Sequence, residues 1–495
     1  MYNIGYDIGS SSVKAAIIEV KTGKQITVTH EPEGEMGMIS PENSWAEQDP
    51  ELWWKLVCLA TKKLLEQTGI DSKKINGIGI AYQMHGLVVV DRNGAPLRNA
   101  IIWCDSRAVA IGNEAFKALG TKKCKEHLLN SPANFTASKL KWVRDNEPEV
   151  YDKVHKYMLP GDYIAYKFSG DITTTVNGLS EGTLWDYKTH KPANWLLDFY
   201  DIDVSMTPDV VDNFTLQGVV NQQAAMDSGL QPGTSIMYRA GDQPNNALAL
   251  NVMKPGEVAA TGGTSGVVYA LTDNMHTNEL ERINNFAHVN YTQETPIIGK
   301  LLCINGAGIQ YRWMKNNTGA ESYNHMNQLA SAEPVGSNGL SIMPFGNGTE
   351  RMLGNTNVGG RMLNLNLNKH TNGTVYRATL EGIAFSFIYG MKFIKNDNTP
   401  LHVIRAGNDN LFRSEVFSNT IASLIGQEIE IYNTTGAVGA ARAASISKYD
   451  LSAFGDSISN NDYVSSYTPQ KNATAYAEAY SKWEQQLEMI LKNNN

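Results

Sequence analysis

Apolar and polar positions alternate in short blocks along the first thirty residues. Tyr2–Tyr6 is β-prone, Asp7-Ile8-Gly9-Ser10-Ser11-Ser12 is small and polar, and Val13–Glu19 is largely apolar again. This pattern predicts two strands joined by a tight Gly/Ser turn. Lys21-Thr22-Gly23-Lys24 then turns into a third strand near Gln25–Thr29. The period changes at Asp49-Pro50, which suit the N-cap and first position of a helix. Leu52, Leu56, Leu59, Ala60 and Leu64 follow at helical spacing. Ile75–Ala81 reads as a strand with Gln83-Met84-His85-Gly86 just past its end, and Val88–Val90 as another. Strands alternating with helices predict an α/β fold.

Asp201 to Gly233 is loop-rich and polar. Ser235–Arg239 then reads as a strand leading to Ala240-Gly241-Asp242-Gln243, followed by a small apolar helix around Ala247–Leu250. Glu257–Thr261 and Val267–Leu271 are strands flanking Gly262-Gly263-Thr264-Ser265-Gly266. This repeats the strand, small polar turn, strand pattern of the opening. The repeat predicts two halves of related architecture, residues 1–245 and 246–495. Further on come a helix at Arg377–Phe385, a strand at Val403-Ile404, a small-residue helix opening at Gly436-Ala437-Val438-Gly439, and a polar amphipathic tail helix.

Composition narrows the class. The 495 residues are 42% hydrophobic and 19% charged, enough apolar content for sizeable cores. The net charge of −8 argues against a nucleic-acid binder with a basic surface. Cys58, Cys104, Cys124 and Cys303 form no C-x-x-C pair and no zinc-ligand pattern, so reduced thiols in the cytoplasm are expected. The N-terminus does not read as a signal peptide, and no apolar run reaches membrane-spanning length.

The two small polar turns are the first chemical candidates. Glycine permits close backbone approach of an anion, and exposed N–H and hydroxyl groups bind phosphate oxygens. Either turn alone is equally an ordinary hairpin, but one in each half suggests a nucleotide held in a cleft between domains. No Walker A or G-x-G-x-x-G sequence is present. A carboxylate at a strand end, such as Asp7, can hold hydrated Mg²⁺. Asp242 could accept a hydroxyl proton during phosphoryl transfer. On spacing alone, its simpler job is capping the following helix. His85 could bind a sugar hydroxyl or be satisfied within the core. Asp105, in Trp103-Cys104-Asp105-Ser106-Arg107, could contact sugar or cap a helix. Most tryptophans are expected in the core.

At this point the sequence resembles the FGGY carbohydrate kinase family, from about residue 2 to about residue 445. The resemblance is carried, in order, by Tyr6–Lys14, Trp45–Pro50, Gln83–Gly86, Ile102–Arg107, Lys139–Trp142 and Leu159–Tyr163. It continues through Ala240–Asp242, Gly262–Gly266, Leu380–Gly382 and Gly436–Ala441. The resemblance implies two ribonuclease-H-like domains of the actin/hexokinase type around a catalytic cleft. It implies ATP and Mg²⁺ as cofactors, a small-molecule sugar as partner, and admits a homodimer. Asp242 matches the catalytic base, and Asp7 the acidic residue near Mg²⁺ and the phosphates. Gly9, Ser10, Ser11, Ser12, Lys14, Gly263, Thr264 and Ser265 match the phosphate side of the nucleotide site. Gln83, Met84, His85, Trp103, Asp242 and Gln243 match the sugar side. Met84-His85-Gly86 points to members that phosphorylate D-xylulose to D-xylulose 5-phosphate.

Three departures stand out. Gln243 occupies a position where D-xylulose-specific members usually have Asn and glycerol-specific members have Gln. The usual glycine-rich adenine loop is replaced by Arg405-Ala406-Gly407-Asn408-Asp409-Asn410, leaving Gly407 and Asn408 as base contacts. Phe345–Arg351 keeps the family's Glu-Arg pair within different flanks. The alternatives are a family member acting on sedoheptulose, gluconate or glycerol, and a non-catalytic sugar- or nucleotide-binding protein.

Overall fold

The computed structural model describes residues 1–446 and 451–494. In the first half, β1 (Tyr2–Ile8), β2 (Val13–Glu19) and β3 (Gln25–Glu31) form an antiparallel meander. Helix α1 (Pro50–Thr68) follows. Asp49 caps it by accepting from the Glu51 N–H, and Gly69 ends it in the left-handed conformation at φ 64°. β4 (Ile75–Tyr82) then pairs parallel to β1. Three helices intervene that matter below: α2 (Thr136–Asn146), α3 (Pro160–Ser169) and α4 (Val176–Glu181). β5 (Ser235–Gly241) pairs parallel to β4. The sheet order is 218–219, β5, β4, β1, β2, β3.

The second half repeats this plan. After α5 (Asp242–Ala249) come β6 (Glu257–Gly262), β7 (Gly266–Thr272), β8 (Asn284–Ala287) and β9 (Ile298–Ile304). Helices α6 (Gly308–Thr318) and α7 (Asn372–Asn396) lead to β10 (Val403–Gly407) and β11 (Ile429–Tyr432). β6, β7 and β9 form an antiparallel meander, and β10 and β11 continue in parallel from β6. The order is β8, β9, β7, β6, β10, β11, 463–467. The central strands are buried on both faces, which explains their near-continuous apolar runs. The protein is thus α/β with two mixed sheets of matching topology.

The halves interlock. α8 (Gly436–Ala443), from late in the chain, packs on β1, β2 and β4 of the first sheet. Its small residues let backbone meet backbone: a Cβ on Gly5 would lie 2.0 Å from the Ala437 carbonyl oxygen. Asn3 Nδ2 donates to the Ala441 carbonyl at 3.1 Å, and Asn245 Nδ2 to the Gly436 carbonyl at 2.9 Å. Residue 245 itself lies within α5.

Two capping expectations are corrected. The N-cap of α5 is Gly241, the last residue of β5, so Asp242 is the first residue inside the helix and no side chain caps it. Asp105 caps no helix. It is fully buried, accepts from the Ala46 N–H, and pairs with Arg107 at 2.7 Å. The Arg107 guanidinium in turn lies over Trp45 and Trp142, at 4.0 and 4.7 Å from the ring centroids. The helix expected at Arg377–Phe385 is the middle of the 25-residue α7. Trp53, Trp54, Trp142 and Trp185 are core residues, whereas Trp103 and Trp313 are exposed.

Candidate active site

The candidate residues of the first half sit at the ends of β1, β4 and β5. Asp7 sits at the end of β1, in register with Lys14 of β2. The turn between them is closed by the Gly9 N–H donating to the Ser12 carbonyl at 3.1 Å. Outside it, Gln48 Nε2 donates to the Ser10 carbonyl, and the exposed Trp103 indole reaches the Ser10 hydroxyl at 3.5 Å. Asp7 also meets the start of α8, since a Cβ on Gly436 would lie 2.7 Å from its Oδ2 and 3.1 Å from Asn246 Oδ1. Burial raises the Asp7 carboxyl, against a lowering by the Lys14 charge.

Asp242 opens α5 at the end of β5, on the same side. Burial, then the charge of Asp7, pushes its carboxyl up to about 7, against hydrogen bonds from Gln243. Two carboxylates in one poorly hydrated site oppose each other's ionisation.

Beside Asp242 lies the turn after β4. Gln83 is buried, donates its Nε2 to Gln48 Oε1 at 3.1 Å, and is joined to β1 by its N–H to the Ile8 carbonyl. Met84 is buried against Gly241, where an added Cβ would meet its Cγ at 2.5 Å. His85 takes a left-handed conformation at φ 61°. Its Nδ1 lies 2.8 Å from the Glu181 carbonyl oxygen. A carbonyl can only accept, so Nδ1 carries the proton and Nε2 is left as an acceptor. Burial, then the charges of Lys139 and Arg351, pushes His85 down to about 3, so the ring is neutral. Phe135 and Phe286 pack on it, at 4.6 and 5.2 Å between ring centroids. Phe286 comes from β8 in the second sheet. Lys139 of α2 ties this wall together, donating to the His85 and Ile102 carbonyls at 2.7 and 3.0 Å.

In the second half, the Gly262–Gly266 turn is held against the start of α6. The Gly308 N–H donates to the Gly263 carbonyl and the Ile309 N–H to the Thr264 carbonyl, both at 3.0 Å. A Cβ on Gly308 would lie 2.3 Å from the Gly263 carbonyl oxygen, so this approach requires glycine. Behind the turn is a cavity of about 460 Å³ whose walls include Gly263, Thr264, Tyr311, Tyr323, Leu411 and Arg413. Tyr311 and Tyr323 stack at 5.6 Å. Gly407 ends β10 and Asn408 follows it, and Arg413 Nε donates to the Asn408 carbonyl at 3.1 Å. Glu350 braces the same region by accepting from the Asn305 and Gly306 N–H groups.

The structure therefore gathers the sequence-predicted Asp7, Met84, His85 and Asp242 on one wall. Thr264 lines the second-half cavity, and the exposed Trp103 reaches Ser10. Sequence reading missed Tyr311, Tyr323 and Glu181. The tyrosines lie in two helices, 308–318 and 323–331, without a recognisable motif, and Glu181 enters only because α4 packs against β5.

Residues 2–249 match the N-terminal domain of the FGGY family of carbohydrate kinases. Over 445 residues the chain is 27% identical to a xylulose kinase from Bacillus subtilis, covering 86% of this chain and 85% of that protein. A xylulose kinase structure from Rhodospirillum rubrum superimposes with a TM-score of 0.88 at 23% identity, over 99% of each chain. A glycerol kinase from Plasmodium falciparum, solved with ADP, does so with a TM-score of 0.88 at 17% identity, over 99% of this chain and 98% of that one. Both likenesses show the same fold over nearly the full length of each chain. The chain belongs to the FGGY family of carbohydrate kinases.

Proposed function

We propose that this enzyme transfers the γ-phosphoryl group of MgATP to the terminal hydroxyl of D-xylulose, giving D-xylulose 5-phosphate, with Asp242 as general base. The observation that carries this reading is the position of Asp242. It follows Gly241, which packs on Met84, it feels the charge of Asp7 at the end of β1, and its carboxyl is raised toward neutrality. Relatives named for xylulose, such as those of Bacillus subtilis and Escherichia coli, support the choice of sugar.

In this reading the first half, residues 1–245, holds the sugar, and the second half, 246–495, holds most of the nucleotide. His85 Nε2 accepts a sugar hydroxyl, while Met84, with Gln83, Trp103 and Gln243, encloses the rest. Gly9, Ser10, Ser11, Ser12 and Lys14 face the phosphates from one side, and Gly263, Thr264 and Ser265 from the other. Gly407 and Asn408 contact the base beside the cavity. Asp7 would hold Mg²⁺, and the mutual opposition of Asp7 and Asp242 fits a nearby divalent cation. Among the described residues, no three His, Cys, Asp or Glu side chains form a metal-ligand set. Such an ion would thus draw on water and phosphate oxygens, as Mg²⁺ commonly does. When bound, it offsets charge on the transferring phosphoryl group.

Asp242 orients the hydroxyl and takes its proton as the new O–P bond forms. A carboxyl near 7 suits this role better than an ordinary aspartate, because it holds the proton more firmly at the end of the step. Four unpaired cysteines accord with a cytoplasmic enzyme, and among the described residues no helix is long and apolar enough to cross a membrane.

ADP release with MgATP and D-xylulose, D-ribulose, sedoheptulose, glycerol or gluconate tests the proposal. Stimulation by D-xylulose above the others upholds it. Stronger stimulation by another acceptor replaces the sugar and leaves the mechanism. Gln243 beside Asp242 favours that second reading. Sugar binding without product would mark a binding protein.

A further inference from the structure

Glu181 ends α4 and does two things at once. Its main-chain carbonyl accepts from His85 Nδ1 at 2.8 Å. Its side chain is fully buried behind the residue that precedes Asp242, where a Cβ on Gly241 would lie 2.3 Å from Glu181 Oε2. Neither carboxyl oxygen has a hydrogen-bond partner of good geometry. A buried polar group in that condition calls for an explanation.

The groups around it are mostly acidic or neutral, and the Lys139 ammonium of α2, whose charge also reaches it, already donates to the His85 and Ile102 carbonyls. Tyr82 of β4 and the His85 amide approach from one side, Asp242 from α5, Asp162 from α3 and Tyr269 from β7. Asp162 is itself paired with Arg239 of β5 at 3.1 Å, so that cation is already engaged. An ionised carboxylate enclosed this way, without a salt bridge of its own, is costly, and such a group keeps its proton instead. Burial, with the charges of Asp242 and Asp162, accordingly holds the Glu181 carboxyl well above the usual range.

We propose that Glu181 is a positioning residue for phosphoryl transfer: a neutral carboxylic acid that braces the Gly241–Asp242 turn and His85 as one frame without placing a second negative charge beside the base. This rests on Asp242 being the base. A filled, uncharged space behind Gly241 keeps Asp242 aimed at the acceptor hydroxyl, whereas an empty one lets the turn sink. An ionised neighbour would press Asp242 toward its protonated, inactive form.

The first test needs no substrate. The infrared C=O stretch of a protonated carboxyl should be present in the wild-type enzyme at pH 8 and missing from Glu181→Gln. The second uses whichever sugar the wild-type enzyme phosphorylates. Glu181→Gln should keep kcat within about three-fold, and Glu181→Ala should lower it about 10- to 100-fold with the KM for ATP unchanged. Should Glu181→Ala not fold, Glu181→Val, which empties only part of the space, takes its place. A wild-type spectrum with no band lost in Glu181→Gln overturns the proposal. So does a Glu181→Gln enzyme as impaired as Glu181→Ala at an unchanged melting temperature, because the charge would then be what the reaction needs. Rejection of D-xylulose in favour of another sugar would overturn the substrate reading and leave this one standing.

Discussion

Gly79 of β4 faces Ala440 of α8 so closely that a Cβ on Gly79 would lie 1.9 Å from the Ala440 carbonyl oxygen. The contact joins residues 361 positions apart (440 − 79) and locks a helix from the end of the chain onto the first sheet. It also fixes the site, because α8 begins at Gly436 against Asp7. Gly79→Ala should therefore destabilise the protein by about 1–3 kcal/mol or more, since backbone cannot move aside as a side chain does. Denaturant unfolding would measure this. The same substitution at the exposed helix-ending Gly69, where nothing lies within 4 Å, meets no such wall, and its cost should come from backbone conformation alone.

Asp242→Asn should lower kcat about 100- to 10,000-fold, the range for loss of a general base. The KM for sugar should change far less. Turnover within a few-fold of wild type would exclude Asp242 as the base.

The raised Asp242 carboxyl has two pH consequences. As a base it must be ionised, so kcat/KM should fall as pH drops through about 7. For stability the sign is reversed. A carboxyl raised in the folded state contributes fully below its unfolded value, and that contribution is lost as pH rises through the folded value. With 3.8 and about 7 as the two values, Asp242→Asn should match wild type in stability near pH 3.8. It should exceed wild type by a few kcal/mol above pH 7, at about 1.4 kcal/mol per unit. Melting temperatures of both proteins between pH 4 and 8 would show whether the gap opens in that direction.

A neutral His85 should bind sugar with the same strength from pH 5 to pH 8, because its ring titrates near 3. His85→Ala should raise the KM for sugar about 5- to 150-fold, the equivalent of about 1–3 kcal/mol for a buried partner left unpaired. A KM that rises steeply in wild type below pH 6.5 would show instead that the ring gains a proton there.

Gly308→Ala places a Cβ 2.3 Å from the Gly263 carbonyl oxygen and must push the Gly262–Gly266 turn away from α6. The KM for ATP should rise while that for sugar stays near wild type. Initial rates with each substrate varied in turn would separate the two.

Local chemistry made much of this legible in the sequence. The β1–β2 turn, the Asp49-Pro50 helix start and the second Gly-rich turn were readable because each is set by residues within a few positions of one another. The candidate carboxylates Asp7 and Asp242 were readable as residues at strand ends. Their mutual effect was not, because it arises only when β1 and β5 flank β4 in one sheet. Asp242 as a helix cap and Asp105 as another were misread for the same reason. Capping residues and site carboxylates look alike in sequence, and only burial and partners distinguish them.

The alternation of strands and helices, the repeat of one plan in two halves, and the short polar turns at their strand ends are all written in the order of residues along the chain. Those follow from side-chain periodicity and backbone preferences, which act over a few residues. Tertiary structure alone decided that α8 would return to the first sheet, that Phe286 would pack on His85, and that Glu181 would lie unpaired behind Asp242. Those depend on which distant surfaces exclude water from each other, and no local pattern records that choice.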